Sequence, residues 1–279
     1  QSVRAVGAVR FSKINICDAD AVEHIFAEFC PDAVVHLAAR AGVRPSLEQP
    51  LLYEHVNVHG TMILLEASRR HGTQKFVFAS SSSVYGIANT VPFRVDDHVN
   101  MPISPYAATK IAGEKIAFTY SHLYGLKVSC LRFFTVYGPR QRPDLAIRKF
   151  TTMIWNGEPI PVFGDGSTGR DYTYIDDITE GIIGAIHSDH TYGVFNLGNS
   201  SPVDLNTMIR TIEEALGMQA VIRRLPDQPG DVPITYADIC ESERVLGYRP
   251  KTSFPEGIRK FVQWFLTTEA KRLSVSAQK

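Results

Sequence analysis

The sequence predicts an α/β fold: a doubly wound parallel sheet with crossover helices, followed by a smaller α/β domain. Three observations predict it. Short apolar runs alternate with helix-forming segments from Val9 to Phe133, the order expected of parallel strands joined by crossovers. The run Ala33-Val34-Val35-His36-Leu37-Ala38-Ala39 is almost continuously apolar, as in a strand covered on both faces. After Gly138-Pro139-Arg140 the texture changes, and glycine and proline become frequent between Pro143 and Gly169.

Taken in order, Val9 to Ile16 alternates like a strand, and Asp18 offers a cap to a helix over Ala21 to Phe29 that Pro31-Asp32 ends. The strand Ala33 to Ala39 follows, then a helix over Pro50 to Arg70 closing at His71-Gly72. Lys75 to Ala79 reads as a short buried strand leading into Ser80-Ser81-Ser82-Ser83, Tyr106 to Tyr124 as a helix, and Lys127 to Phe133 as a strand. Beyond the texture change, helices fit Ala146–Asn156, Asp176–His187, Leu205–Leu216, Ile239–Leu246 and Phe254–Phe265. Ile160–Phe163 and Gly193–Leu197 are extended, Gly164-Asp165-Gly166 is a turn, and the polar tail after Thr267 is expected to fray.

Composition excludes several functions. Of 279 residues, 29 are basic and 29 acidic, which leaves no electrostatic footprint for nucleic acid or an anionic membrane. No apolar run approaches the ~20 residues of a membrane helix. Cys17, Cys30, Cys130 and Cys240 are scattered and form no metal or disulfide pattern, so they read as reduced structural thiols. Gln1-Ser2-Val3-Arg4 has neither a signal peptide's pattern nor a methionine. The expectation is a cytoplasmic protein whose sequence begins at a cut.

The chemistry centres on Ser104-Pro105-Tyr106-Ala107-Ala108-Thr109-Lys110. Tyr106 and Lys110 are one helical turn apart and share a face. An ammonium beside a phenol favours the phenolate, which suits Tyr106 to take a proton from a substrate alcohol at a hydride-transfer site. Helices also carry this spacing with a half-buried tyrosine and a solvated lysine, so the pair takes its meaning from its surroundings. In a doubly wound sheet ligands lie beyond the carboxyl ends of strands. Three such ends are unusual: the small residues after His36, the hydroxyls Ser80 to Ser83, and Thr135 with Arg140 and Arg142, where arginines suit a phosphate or carboxylate.

Five stretches together resemble the extended short-chain dehydrogenase/reductases of the NAD-dependent epimerase/dehydratase family, which act on nucleotide sugars. They are Asn57-Val58 with Gly60-Thr61, Val84-Tyr85-Gly86, Ser104-Pro105-Tyr106 with Lys110, Arg132 to Pro139, and Arg170 to Asp177. The resemblance runs in order from about Val9 to Leu266. Dehydrating and decarboxylating branches carry an acidic residue before the Tyr-Gly pair; here Ser82 and Ser83 stand there, which favours epimerisation. Phe134 to Asp144, Ala39 to Ser46 and Gln228 to Pro233 look like UDP-glucuronate 4-epimerases.

The resemblance implies a Rossmann-like NAD-binding domain over residues 1–143 and a nucleotide-sugar domain over 144–279, with a segment near 172–200 returning to the first. It implies inversion at C4 of UDP-glucuronate, through a transient 4-keto sugar, with NAD. Ser81, Tyr106 and Lys110 are the implied catalytic set. Asn15, Ile16, Leu37, Ala38, Ala39, Asn57, Ser80 and Phe133, with Tyr106 and Lys110, are implied for the cofactor. Arg44, Ser81, Ser82, Thr135, Arg142, Val162, Phe163, Arg170, Gln228 and Asp231 are implied for the substrate, with Thr135 and Arg142 on a uronate carboxylate. No metal is implied.

Asn15 stands where the family usually has an aspartate. The family's glycine fingerprint is absent, so the first β-α-β unit, about fifty to seventy residues by its usual length, is expected to be missing. The residues alone are then expected to be unstable and to bind NAD poorly. Other UDP-sugars, or a binding scaffold without catalysis, are the alternatives. The resemblance implies a homodimer through the helices Pro50–Arg70 and Tyr106–Tyr124, whose Leu51, Leu52, Ile63, Phe118 and Leu123 fit an outward face and core packing equally well.

Overall fold

The computed structural model describes residues 9–86, 90–226 and 234–270. In chain order its elements are α1 (Ala19–Phe29), β1 (Ala33–His36), α2 (Val43–Glu48), α3 (Pro50–Glu54), a π-turn (His55–His59), α4 (Gly60–Arg70), β2 (Lys75–Ser81), a 3₁₀ turn (Ser82–Tyr85), α5 (Pro105–Tyr124), β3 (Lys127–Phe133) and β4 (Thr135–Tyr137). Then come α6 (Ala146–Trp155), β5 (Ile160–Phe163), β6 (Gly169–Tyr174), α7 (Ile175–His187), β7 (Tyr192–Leu197), β8 (Pro202–Asp204), α8 (Leu205–Leu216), β9 (Ile222–Leu225), β10 (Ile234–Thr235), α9 (Cys240–Leu246), α10 (Phe254–Trp264) and a second π-turn (Phe265–Glu269).

The chain divides into two compact units. The first comprises Gln1–Ala79, Pro102–Ser129 and His190–Gly193; the second comprises Ser80–Met101, Cys130–Asp189 and Val194–Lys279. One sheet has the strand order β1-β2-β3-β7, and in the first unit β1 runs parallel to β2 with Ala33 opposite Lys75 and His36 opposite Phe78. Every residue of β2 is buried. Val22, Phe26 and Ala67 close a core between α1 and α4 that takes in Val34 and Ile63. In the second unit β6 is central: it pairs in parallel with β4 and β10 and antiparallel with β8. Its core gathers Tyr137, Phe150, Tyr172, Ile212, Phe254 and Phe261.

The chain's own capping chemistry fixes α5. Ser104 Oγ accepts the Ala107 amide at 3.1 Å, Pro105 supplies a ready-made first turn, and Gly125 at φ 70 takes the left-handed exit. Gly113 lets the helix close on β2, since a Cβ there would run into the Phe78 ring. This close approach seats Lys110 against the end of the strand. Likewise Asp18 caps α1, and Asp204 and Gly217 bracket α8.

Four expectations are corrected. Val9 to Ile16 is irregular and turns at Ile16–Cys17, because no strand among the described residues gives it a ladder. β1 stops at His36 and is only partly covered, since it stands at the edge of the sheet order and its Arg40 backbone is bonded to Asn57 instead. The helix Pro50–Arg70 exists but is interrupted by the π-turn. Of the tail expected to fray after Thr267, residues 268–270 are anchored, since Glu269 forms a largely buried 2.9 Å ion pair with Arg148, and residues 271–279 lie outside the described residues. Sequence patterning gave no sign of α2, β4, β6, β8, β9 or β10, all short or flanked by glycine and proline.

Candidate active site

The first unit assembles the Tyr106 region. Tyr106 is half-buried on the first turn of α5, and Lys110 below it is buried. Lys110 Nζ donates to Ala79 O at 2.7 Å and lies 5.9 Å from the Tyr106 ring centroid. Burial pulls the Lys110 pKa down from 10.5 to about 8, against an upward pull from the Glu114 carboxylate. An ammonium in so dry a place costs stability, so its presence points to chemistry. Tyr53 meets the Tyr106 ring edge-on with centroids 6.2 Å apart, and its hydroxyl donates to Ala41 O at 2.9 Å.

A hydrogen-bond chain that the sequence did not reveal fixes this helix. Asn57, at the centre of the π-turn, donates to Arg40 O and to Thr109 Oγ1, both at 3.0 Å, and accepts from the Arg40 amide at 2.8 Å. Thr109 Oγ1 in turn donates to Tyr106 O at 2.8 Å. Thr61 Oγ1 donates to Asn57 O, so it must accept from His36 Nε2, 2.9 Å away, which assigns the proton to that nitrogen. Burial, helped by the Lys110 charge, lowers the His36 pKa to about 3, so the ring is neutral. Asn57 thus spends both its N–H bonds on the protein, tying the loop after β1 to the turn that carries Tyr106. A π-turn in such a place is a common mark of a functional site.

The other residues proposed for the cofactor stand around these elements. Leu37 and Ala38 are exposed and Ala39 is half-buried, just past β1. Asn15 accepts the Cys17 amide at 3.1 Å, and Ile16 packs so tightly on α4 that a Cβ on Gly60 would come within 2.9 Å of it. Arg44, expected at the substrate, is exposed on the first turn of α2.

The second unit holds the serine run. Ser80 and Ser81 end β2, both buried, and half-buried Ser82 opens the 3₁₀ turn. Ser81 Oγ accepts the Ser83 amide at 3.2 Å and so caps that turn. At its far end Tyr85 donates to Asn196 Oδ1 at 2.6 Å and accepts from Arg132 at 3.0 Å, while Asn196 donates to Phe93 O at 2.8 Å. Arg132 is buried and also lies over the Tyr85 ring, 4.9 Å from its centroid. This clamp, again unseen in the sequence, holds the Ser81 turn rigid.

Phe133 and Thr135 are half-buried beside it in sequence. Arg142 is exposed and forks onto Asp144 with contacts of 3.1 and 2.8 Å, which holds the Asp144 carboxyl below its ordinary range. Arg170 is half-buried on β6 and donates to Gly169 O at 2.8 Å. Phe163 is half-buried, whereas the Val162 side chain lies wholly in the core, so only its backbone is offered to a ligand. Gln228 and Asp231 lie outside the described residues. Among the described residues no cluster of metal-ligating side chains occurs, all four cysteines are free, and no helix is long and apolar enough to cross a membrane.

Residues 1–261 match the GDP-mannose 4,6-dehydratase family. A UDP-glucuronate 4-epimerase of Thermodesulfobacterium geofontis is 43% identical over 256 residues, spanning 91% of this chain and 79% of the relative. Among solved structures, UDP-glucuronic acid 4-epimerase from Bacillus cereus, in complex with UDP-glucuronic acid and NAD, superposes with a TM-score of 0.87 at 32% identity, covering 96% of this chain and 84% of that one. UDP-glucose 4-epimerase from Thermotoga maritima with UDP-glucose gives a TM-score of 0.88 at 33% identity, covering 93% and 85%. The chain belongs to the GDP-mannose 4,6-dehydratase family, within the NAD-dependent epimerase/dehydratases of the extended short-chain dehydrogenase/reductase class.

Proposed function

We propose that the protein is an NAD-dependent UDP-sugar 4-epimerase whose substrate is UDP-glucuronate, converted to UDP-galacturonate. The observation that carries the reading is Lys110: a buried ammonium one turn below Tyr106, fixed at 2.7 Å on the backbone of the strand that runs into Ser81. That donor set fits NAD. Lys110 spends one of its three N–H bonds on Ala79 O, its only protein acceptor among the described residues, so two are left for a polyol such as the nicotinamide ribose. When bound there, NAD would supply reversible hydride chemistry for C4 of the sugar.

The protein's own work is to move one proton and to hold the sugar. Tyr106, as phenolate, takes the proton of the C4 hydroxyl, and Ser81 donates a hydrogen bond to the same oxygen. The neighbouring Lys110 charge favours the phenolate. The resulting 4-keto sugar turns about its diphosphate link, and Tyr106 hands the proton back when the opposite face is reduced. Arg170 contacts the diphosphate, supported by arginine's match to phosphate oxygens. Thr135 and Arg142 hold the C5 carboxylate away from the geometry in which a β-keto acid loses CO₂. The Arg142–Asp144 pair is solvent-exposed and so is cheap to exchange for a substrate carboxylate. Residues 1–143 serve mainly the cofactor and residues 144–279 the nucleotide sugar, with a segment near 172–200 returning to the first domain. A second copy of the chain packs on α3, α4 and α5, where Leu51, Phe118 and Leu123 are exposed; Ile63, turned into the α1–α4 core, is not part of that face.

The T. maritima neighbour favours a second reading, a UDP-glucose 4-epimerase. Steady-state rates with UDP-glucuronate, UDP-glucose and UDP-N-acetylglucosamine separate the two. We expect UDP-glucuronate to lead by about tenfold or more in kcat/KM, and Arg142→Ala to remove most of that lead, since a charged hydrogen bond contributes about 1.5–3 kcal/mol. A higher kcat/KM for UDP-glucose, unaffected by Arg142→Ala, contradicts the uronate assignment.

A further inference from the structure

Consecutive residues of β6 have opposite environments. Arg170 is half-buried, while Asp171 is fully buried. The Asp171 carboxylate collects four neutral donors: Asn199 N at 2.6 Å and Thr173 Oγ1 at 3.3 Å on Oδ1, and Ser200 N and Ala237 N, each at 3.0 Å, on Oδ2. We propose that Asp171 is a positioning residue for Arg170, fixing both backbone segments between which Arg170 projects. The inference rests on the reading of Arg170 as a diphosphate contact.

Arg170 stands in register between Val203 of β8 and Thr235 of β10. Neither neighbour is held well by its ladder alone. Among the described residues β10 pairs with β6 over Ile234 and Thr235 alone, and strand pairing of that length is marginal. β8 places Pro202 opposite Asp171, and proline has no N–H to give the ladder. The carboxylate holds what the ladder leaves loose: Ala237, two residues beyond β10, and Asn199–Ser200, just before β8. The two segments are also joined to each other, since Ser200 Oγ donates to Ala237 O at 2.8 Å. Gly198 lets this turn lie against the acid, because a Cβ there would sit 2.6 Å from both Asp171 Oδ2 and the Ala237 Cβ. Ser200 takes the left-handed φ of 54 needed to present its amide. Burial raises the Asp171 pKa, and the three amides and the Thr173 hydroxyl that converge on the carboxylate pull against that rise.

The test is calorimetric titration with UDP of the protein and of Asp171→Asn, Arg170→Ala and the double variant, with kcat and KM for the nucleotide sugar. Asn keeps the volume but turns one acceptor into a donor facing an amide. Asp171→Asn is expected to weaken UDP by roughly tenfold, to raise KM more than it lowers kcat, and to add nothing in the Arg170→Ala background, a coupling of about 1.4 kcal/mol. Equal weakening in both backgrounds, no weakening, or a loss confined to kcat overturns the proposal. If Asp171→Asn does not fold, Thr173→Val, which removes one donor of the four, decides it. A two- to threefold loss of UDP affinity that vanishes beside Arg170→Ala supports the proposal, and an unchanged or persistent effect rejects it. UDP binding untouched by Arg170→Ala alone rejects the diphosphate assignment itself, a different failure from loss of coupling.

Discussion

Tyr106→Phe is expected to cut turnover of UDP-glucuronate by about a thousandfold or more and to leave the fold intact. Positioned proton transfer contributes about 10²–10⁴ in rate. Phenylalanine removes that transfer completely, because no neighbouring side chain takes over a phenol's role at the same atom. It keeps the ring that meets Tyr53 edge-on and lies 5.9 Å from Lys110 Nζ. The determinants of the α5 start, Ser104 and Pro105, are untouched, as is the Thr109 bond to the Tyr106 carbonyl. Steady-state kcat and a thermal melt check both halves. Turnover close to the parent's rejects Tyr106 as the base, and a collapsed melt shows the residue to be structural.

Lys110→Met is the second large effect: a loss of turnover of about a hundredfold or more, with a change in how stability depends on pH. Met fills the channel beside Phe78 but carries neither the charge that favours the phenolate nor the N–H bonds assigned to the ribose. The stability signature follows from linkage. The Lys110 pKa is about 8 in the folded state, against 10.5 when exposed. Below pH 8 both states carry the proton and the folded state bears the full cost of burying it. As pH rises from 8 to 10.5 the folded state has already released its proton while the unfolded state still holds it, so stability attributable to this residue recovers by about 3 kcal/mol. The parent is therefore expected to gain on Lys110→Met across that window, in urea unfolding followed at pH 7.5, 9 and 10.5. Parallel stability curves for the two proteins contradict a buried, pKa-depressed lysine.

Much of this was legible in the sequence, and what was not has a physical reason. Helices α5 and α8 announce themselves because Ser104, Gly125, Asp204 and Gly217 write their ends into the chain, and β3 because Val128, Cys130, Leu131 and Phe133 stand close together in a seven-residue stretch. The Tyr106–Lys110 pair is local, four residues apart on one helix, so spacing raised it as a candidate and the motifs around it gave it meaning. The hydrogen bonds that orient it are not local. Asn57 reaches Thr109 across 52 residues, and Tyr85 reaches Asn196 across 111. Asn57 and Thr61, four apart, were visible as a motif, but nothing in their spacing says that His36 and Arg40 complete the set. The strand expected over Val9–Ile16 shows the converse: alternation is necessary for a strand, and a pairing partner decides whether one forms. Val162 matched a ligand motif and yet is core, since β5 alternates its faces and this position faces inward.

The central claim is that one sugar carbon is oxidised and then reduced within a single site, with its hydrogen never passing to water. UDP-glucuronate carrying deuterium at C4, incubated with the protein and followed by NMR, tests it directly. The account predicts UDP-galacturonate that keeps the label at C4. Inversion with loss of deuterium to solvent, or no UDP-galacturonate at all, contradicts it.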